Sequence, residues 1–301
     1  MSEGEIAEIR GIASNQNLDA GVYQILEEKL KEFPDGELYK KRVSDMRRLT
    51  EINARNTNEE KLTTDDLRFI YEFDSKINGF GYEEDSRIKE IINNRNIKAD
   101  LALITNYSEK QISLTNSEAL RGGIKLHYGS LNLASLQSAD GLTLPETING
   151  SLNLTSLQSA DGLTLPETIN GSLNLASLRS ADGLTLPETI NGGLYLYGLR
   201  SADGLTLPKT INGSLYLGCL RSAEGLMLPE KINGDLNLAS LRSVEGLTLP
   251  KTINGDLYLA SLRSAEGLML PETLIGNLNL TNLEPTEKDN LRKKYLNLKI
   301  I

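Results

Sequence analysis

The stretch from Gly129 to Leu283 repeats itself every 21 residues, and a fixed period of that size marks a stacked array of small units. Gly129, Gly150, Gly171, Gly192, Gly213, Gly234, Gly255 and Gly276 each open a copy; seven copies are complete and the eighth stops at Leu283. Numbered from its glycine, the unit reads G-x-L-x-L-x-x-L-x-S-[AV]-[DE]-G-L-x-L-P-x-x-[IL]-[NI]. Leucines at positions 3 and 5 alternate with small or polar residues, which predicts a short strand with one buried face. The leucines at 14 and 16 repeat the alternation and predict a second, very short strand, ended by the proline at 17. Between them lies Ser-Ala-Asp/Glu-Gly, which is turn chemistry, and Asn-Gly closes nearly every unit. Two corners and a proline leave no room for a crossover helix. The unit is expected to be a flattened coil with the leucines at 3, 5, 8, 14 and 16 and the isoleucine at 20 turned inward.

One coil cannot bury six apolar side chains, but stacked coils can, each touching only its neighbours. Parallel strands stack about 4.8 Å apart, so eight coils would make a rod roughly 38 Å long. Identical residues then form columns. Asn149, Asn170, Asn191, Asn212, Asn233 and Asn254 would make a hydrogen-bonded ladder at one corner.

Leu144-Pro145-Glu146-Thr147-Ile148 followed by Leu152-Asn153-Leu154 resembles the leucine-rich repeat, especially its short bacterial form of about 20 to 22 residues. The resemblance covers about half the chain and implies a solenoid built on a parallel sheet. One departure stands out. The consensus wants Asn or Cys three places after the second strand leucine, where this chain has Leu136, Leu157, Leu178, Leu199, Leu220, Leu241 and Leu262. The buried asparagine bonding of that family would be absent here or moved to position 21.

The rest of the chain divides around this array. Residues 1–96 read as a helical N-terminal domain, 97–128 as a joint with a degenerate first coil, 129–283 as the solenoid and 284–301 as a C-terminal cap. In the first of these, helices are expected over Glu3–Ala13, from a cap at Asp19 to the Pro34-Asp35-Gly36 break, and over Leu38 to Asn56. Another starts at a Thr63 or Thr64 cap, and a last short one covers Glu83–Ile92. Leu101–Ile104 and Ile112–Leu114 read as strands. In the tail, Thr286 with Asp289 suggests a capping box, and Leu291, Tyr295 and Leu298 an amphipathic face. Solenoids need ends that hide apolar coils and unpaired strand edges; the tail and the helical domain fit those roles. The fold class is therefore α+β.

Composition excludes several functions. The 301 residues carry a net charge of −9, with −5 on residues 1–128 and −4 on the remainder, so neither part has the basic surplus of a nucleic-acid or anionic-membrane binder. There is no run of 18 apolar residues to span a membrane and no apolar N-terminal segment to act as a secretory signal. The single Cys suits a reducing compartment. A cytoplasmic monomer is the expectation, and delivery into a host cell is compatible with it.

Catalytic chemistry is hard to assemble. His127 is the only histidine, and Cys219, at position 7 of its coil, lies about four coils away from it. A thiolate nucleophile wants a nearby His or cation. Some bacterial leucine-rich-repeat effectors carry a Cys-x-Asp ubiquitin-ligase motif, but Leu220-Arg221 follows Cys219 here. No catalytic residue, metal site or cofactor is expected. A carboxylate column at position 12 (Asp140 to Glu266) has one acid per coil, too few for calcium, and faces an arginine column at position 9. That column includes Arg179, Arg200 and Arg221 and suggests charge neutralisation. Position 4 is more telling. It is Asn in five copies and Tyr at Tyr195, Tyr216 and Tyr258, with Tyr197 at position 6 nearby. Gly198, Gly218 and Cys219 beside them would leave a shallow recess. Exposed tyrosines on a rigid sheet are good anchors, so the expected function is a non-enzymatic scaffold for a protein partner. Tyr195, Tyr197, Tyr216, Tyr258, Arg179, Arg200 and Arg221 are the candidate contacts. Two alternatives stay open: an architectural or water-ordering rod, and an enzyme with its site in the N-terminal helices.

Overall fold

The structure is a computed structural model that describes residues 28–31, 33, 36–81, 84–296 and 298–301. They fall into two compact units, one ending at Asn106 and the other running from Tyr107 to Ile301.

The first unit is helical, with helices Gly36–Thr57, Thr64–Ile70, Ser86–Asn93 and Ile97–Thr105. The helix expected over Glu3–Ala13, the expected helix from Asp19 except for residues 28–30, which are helical, and most of the Pro34-Asp35-Gly36 break lie outside the described residues. Thr63 caps the second helix: its hydroxyl accepts from the Asp66 N–H at 3.2 Å, and Asp66 Oδ2 accepts from the Thr63 N–H at 2.9 Å. Burial pushes the Asp66 carboxyl up, but the bonds from Thr63 and the Arg55 guanidinium outweigh it and hold the group below the usual carboxylate range. The last short helix starts later than expected, because Asp85 caps it by accepting from the Arg87 N–H. Leu101–Ile104 is not a strand but the end of the helix capped by Asn96. Leu101 and Ile104, three apart, are buried, while Leu103 is 53% exposed. A four-residue apolar run has no period of its own, and the cap decides it.

The second unit is a parallel β-solenoid with a 21-residue turn. Each of the seven complete coils gives two strands of two residues, one to each of two sheets, and the eighth gives one. The tyrosine sheet has eight strands, from Leu131–Asn132 to Leu278–Asn279, all at positions 3 and 4. The isoleucine sheet has nine, beginning with Ile112–Ser113 and Leu126–His127 and continuing through Thr147–Ile148 to Thr273–Leu274. Equivalent residues pair in register, as Leu173 with Leu194 and Ile190 with Ile211.

The second strand is thus at positions 19 and 20, not at 14 to 16. The proline at 17 has no N–H for a ladder, so regular pairing starts only beyond it. The leucines at 14 and 16 lie in the loop before it, mostly half-buried, as Leu163 and Leu165 are. The innermost columns are the leucines at 3, 5 and 8 and the isoleucine at 20, each 0% exposed in most coils. The small residue at 11 joins them, with Ala160, Ala181 and Ala202 at 2%.

Two glycine columns shape the coil for different reasons. At position 13 the backbone is left-handed, with φ between +70° and +78° from Gly141 to Gly267. At position 1 successive coils touch backbone to backbone: a Cβ on Gly150 would stand 2.4 Å from the Gly129 carbonyl oxygen. The asparagine ladder forms at the adjoining corner, each side-chain amide donating to the carbonyl of the coil before. Its bonds run from 2.7 Å for Asn170 on Asn149 to 3.1 Å for Asn254 on Asn233, and Ile275 ends it.

Both ends of the tyrosine sheet are covered. At the first, Asn116, in the short helix Asn116–Ala119, donates its amide to the Asn132 carbonyl at 2.8 Å and accepts from the Asn132 N–H at 3.4 Å. At the other, the final residues add a parallel strand: Leu278 N–H donates to Lys299, Leu280 N–H to Ile301 and Ile301 N–H to Leu278, each at 2.9 Å. Helix Pro285–Lys294 carries the chain there and buries Leu291. Its expected Thr286–Asp289 capping box is not formed. Pro285 opens the helix, so Glu284 is the cap residue, and Asp289 bonds Arg292 instead.

Candidate functional site

The outer face of the tyrosine sheet is built from positions 2, 4 and 6, because strand alternation turns 3 and 5 into the core. In the first three coils this face is monotonous: Ser at 2, Asn at 4, Ala or Thr at 6. Its asparagines are occupied locally, since Asn174 Oδ1 accepts from the Ala176 N–H at 3.0 Å and Asn153 Oδ1 from the Thr155 N–H at 3.1 Å. The serines are occupied too. Ser151 Oγ accepts from the Ser172 N–H and Ser172 Oγ from the Gly193 N–H, both at 2.9 Å.

The next four coils break that pattern. Tyr195, Tyr197 and Tyr216 form one aromatic cluster. The Tyr195 and Tyr216 rings, from paired strand residues, stack at 5.0 Å between centroids and 8° between planes. Tyr197 lies 5.2 Å from Tyr216 and 6.4 Å from Tyr195. Two glycines lie against the cluster. A Cβ on Gly193 would stand 3.2 Å from Cε2 and Oη of Tyr195, and one on Gly218 would stand 3.1 Å from Cδ1 of Tyr197. The expected recess is therefore not open: the Tyr197 ring already lies against Gly218. Gly198 offers no recess either, since a Cβ there would meet the Leu178 carbonyl oxygen at 2.5 Å. The rings stay accessible, Tyr197 at 38% and the others half-buried.

Two aspartates adjoin the rings. Tyr216 donates its hydroxyl to Asp235 Oδ2 at 3.2 Å, and Asp235 Oδ1 accepts from the Asp256 N–H at 2.8 Å. Asp256 repeats the arrangement, accepting from the Tyr258 hydroxyl at 3.1 Å and from the Asn277 N–H at 2.6 Å. The Asn277 N–H, chiefly, holds the Asp256 carboxyl below its usual range against the effect of burial. The Tyr197, Tyr216 and Tyr258 hydroxyls are pushed above the ordinary phenol value of 10.0, first by burial and then by neighbouring carboxylates and phenols. The patch therefore offers fixed carboxylates and neutral phenols around an apolar ring cluster. Tyr258 stands two coils from Tyr216 and belongs with Asp256.

The arginines take a different place. Arg179, Arg200 and Arg221 are exposed at the corner beyond the tyrosine strands. Among the described residues no ion pair joins their column to the carboxylates at position 12. Asp161, Asp182 and Asp203 instead accept from the serine two places earlier at 2.6–2.8 Å. The i+2 serine-to-aspartate spacing was the sequence signal for that turn.

His127 is not a surface residue. It is 1% exposed, and its Nδ1 shares a hydrogen bond with Ser113 Oγ at 2.9 Å, also fully buried. Burial pushes its pKa below the ordinary 6.5. Cys219 is a free, exposed thiol. Among the described residues, no group of three or more His, Cys, Asp and Glu side chains is placed to hold a metal ion. No helix among them is long and apolar enough to cross a membrane. The first unit has a small open cleft lined by Arg48, Asp65, Arg68, Phe69, Asp74 and Ser75. Its cations are engaged there: Arg68 pairs with Asp74, and Arg48 lies over the Phe69 ring. The chain matches no known family, no curated protein and no solved structure.

Proposed function

We propose that this protein is a non-catalytic binding scaffold and that its interaction surface is the outer face of the tyrosine sheet. Tyr195, Tyr197 and Tyr216 are the centre of that surface. The observation that carries the reading is the way the cluster is built. In a repeat whose interior barely changes, three tyrosines gather on one face in two adjacent coils and stack into a single cluster, with Gly193 and Gly218 lying against two of the rings. Tyrosine on a rigid frame gives large contact area and a hydroxyl at little entropic cost, which is why it is enriched in binding hot spots. Tyr258 extends the surface along the stack, and Arg179, Arg200 and Arg221 flank it at the next corner. We also propose that the coil is kin to the leucine-rich repeat, with its asparagine bonding carried at position 21 in place of the buried consensus site.

The test restores the repeat's own majority residue. Tyr195→Asn with Tyr216→Asn leaves the strands and core untouched, so the thermal melt stays close to that of the parent. Proteins retained by the immobilised full chain are compared with those retained by the variant. The expected loss is about 2 kcal/mol or more, roughly thirty-fold in affinity. A folded double variant that holds the same proteins as tightly would show that the tyrosines are only good strand formers.

A further inference from the structure

Outward charge on the tyrosine sheet is confined to one place and one sign. Of all residues at positions 2, 4 and 6 in the eight coils, only Asp235 and Asp256 are charged. Both lie in the two coils that follow the aromatic cluster, and both are joined to tyrosines, Asp235 to Tyr216 and Asp256 to Tyr258. Each replaces a residue that is serine in most other coils, while keeping the serine's structural task of accepting the N–H of the next coil. A serine would have served for that bond. What the aspartates add is negative charge on a half-buried aromatic surface. Lys299, in the segment that covers the sheet's far end, favours the ionised form of Asp256, after the larger effect of the Asn277 N–H. The arginine column stands five residues beyond position 4, past the corner.

We infer that this surface, from Tyr195 to Tyr258, docks an extended, basic segment of a partner, with arginine side chains laid across the tyrosines and their guanidinium groups on Asp235 and Asp256. The inference rests on the reading of the tyrosine face as the binding surface and names the chemistry of its occupant. Arginine fits each part of the patch. Its stem and planar head pack on aromatic rings, and the head pairs with carboxylates through fixed, forked donors. The carboxylates are already immobilised, each with one oxygen on a backbone N–H and the other on a phenol, so little is lost in ordering them. The strands run side by side about 4.8 Å apart. A partner lying along the stack therefore meets the rings of Tyr195 and Tyr216 first and the two carboxylates in the following coils.

The probes are three synthetic peptides of twelve residues, alternating Arg-Ser, Glu-Ser and Leu-Ser, titrated into the full chain by calorimetry at low and high salt. Asp235→Asn with Asp256→Asn removes both charges and keeps an acceptor for each backbone N–H; Tyr197→Asn with Tyr216→Asn removes most of the aromatic cluster. Melting curves establish that both variants are folded. The expected result is binding of the Arg-Ser peptide, at least tenfold weaker to either variant and weakened by salt. Binding of the Glu-Ser or Leu-Ser peptide in its place, lost in the tyrosine variant, would overturn the basic partner and leave the tyrosine face as the docking surface. Arg-Ser binding unchanged by both variants would be attraction to the net acidic chain and would overturn the inference. So would a failure of the Arg-Ser peptide to bind. The retention experiment on Tyr195→Asn with Tyr216→Asn then decides separately whether the face binds anything.

Discussion

The two glycine columns differ in what a methyl group would cost, and that difference can be measured within one coil. Gly213 is at position 1 and Gly225 at position 13 of the same unit. A Cβ on Gly213 would lie 2.5 Å from the Gly193 nitrogen, 2.6 Å from the Gly192 carbonyl carbon and 2.8 Å from its oxygen. All three are backbone atoms, so relief must come from moving one coil against the next by about 1 Å. That movement stretches coil-to-coil bonds such as Asn212 N–H to Ile190 at 3.0 Å and Leu194 N–H to Ser214 at 2.8 Å. Overpacking costs about 1–3 kcal/mol and each weakened bond about 1 kcal/mol, so Gly213→Ala is expected to cost at least about 3 kcal/mol. At Gly225 the nearest atom would be 4.0 Å away, and only φ of +74° opposes a side chain. Gly225→Ala should cost about 1–2 kcal/mol, and Gly225→Asn less, because asparagine visits the left-handed region more readily. At position 1 asparagine should be no better than alanine. Urea unfolding followed by circular dichroism gives the ordering. Hydrogen exchange places the loss in the flanking coils, a needed check because repeat arrays depart from two-state behaviour. If Gly213→Ala costs no more than Gly225→Ala, or asparagine rescues position 213, the coils are not in backbone contact as described.

Three further outcomes follow from the same structure. Leu196→Ala, fully buried at position 5 between fixed coils, should cost about 2–5 kcal/mol in urea unfolding, and a cost under about 1 kcal/mol would mean that the core collapses around it. His127 is buried and neutral, with its folded pKa below 6.5, so its stabilising contribution is complete above about pH 6.5 and is lost as pH falls from there towards the folded value. As the chain's single histidine it gives one set of imidazole resonances by proton NMR, and an ordinary midpoint near 6.5 would contradict its burial. Deleting 298–301 alone should expose the Leu278 and Leu280 backbone edge and produce end-to-end association in light scattering, as deleting 284–301 should; a monomeric product from both would show that the edge needs no cover.

The coil was legible because its signals are repeated. Eight copies average out the ambiguity of any single one, and the stacking, the inward leucines and the asparagine ladder all follow from the period. The second strand was misplaced because alternation alone cannot tell Leu-Thr-Leu before a proline from Thr-Ile after it. Proline's missing N–H decides for the later pair, and the same sequence held that information. Ala160 and its equivalents were missed for another reason: inside a turn motif an alanine carries no periodicity. Leu101–Ile104 failed through brevity, since four apolar residues in a row fit a strand or a helix equally and only the Asn96 cap separates them. The tail's final strand was not legible at all. Nothing in Lys299-Ile300-Ile301 says that it returns to Leu278, because that pairing depends on how far the preceding helix carries the chain.

The candidate surface was legible in a different currency, that of departure from the repeat. Tyr195, Tyr197 and Tyr216 stand out only because the other coils have Asn and Ala at those places. The glycines were read with the wrong sign, since an absent side chain looks like empty space until a neighbour is known to fill it. Gly218 leaves no recess because the Tyr197 ring lies against it, and Gly198 leaves none because the Leu178 carbonyl does. Asp235 and Asp256 escaped notice because position 2 is already polar, and a change from serine to aspartate there keeps the hydrogen bond that the stack requires. Their significance lies in what they touch, the hydroxyls of Tyr216 and Tyr258, and that contact joins residues 19 and 2 places apart in the chain. In a solenoid the coil-to-coil neighbour of any residue is about one period away. A surface that acts as a unit must therefore be read down the columns of the aligned repeat. Read that way, the substitutions from Gly193 to Tyr258 form one continuous strip across four adjacent strands, on an outer face that is otherwise almost uniform.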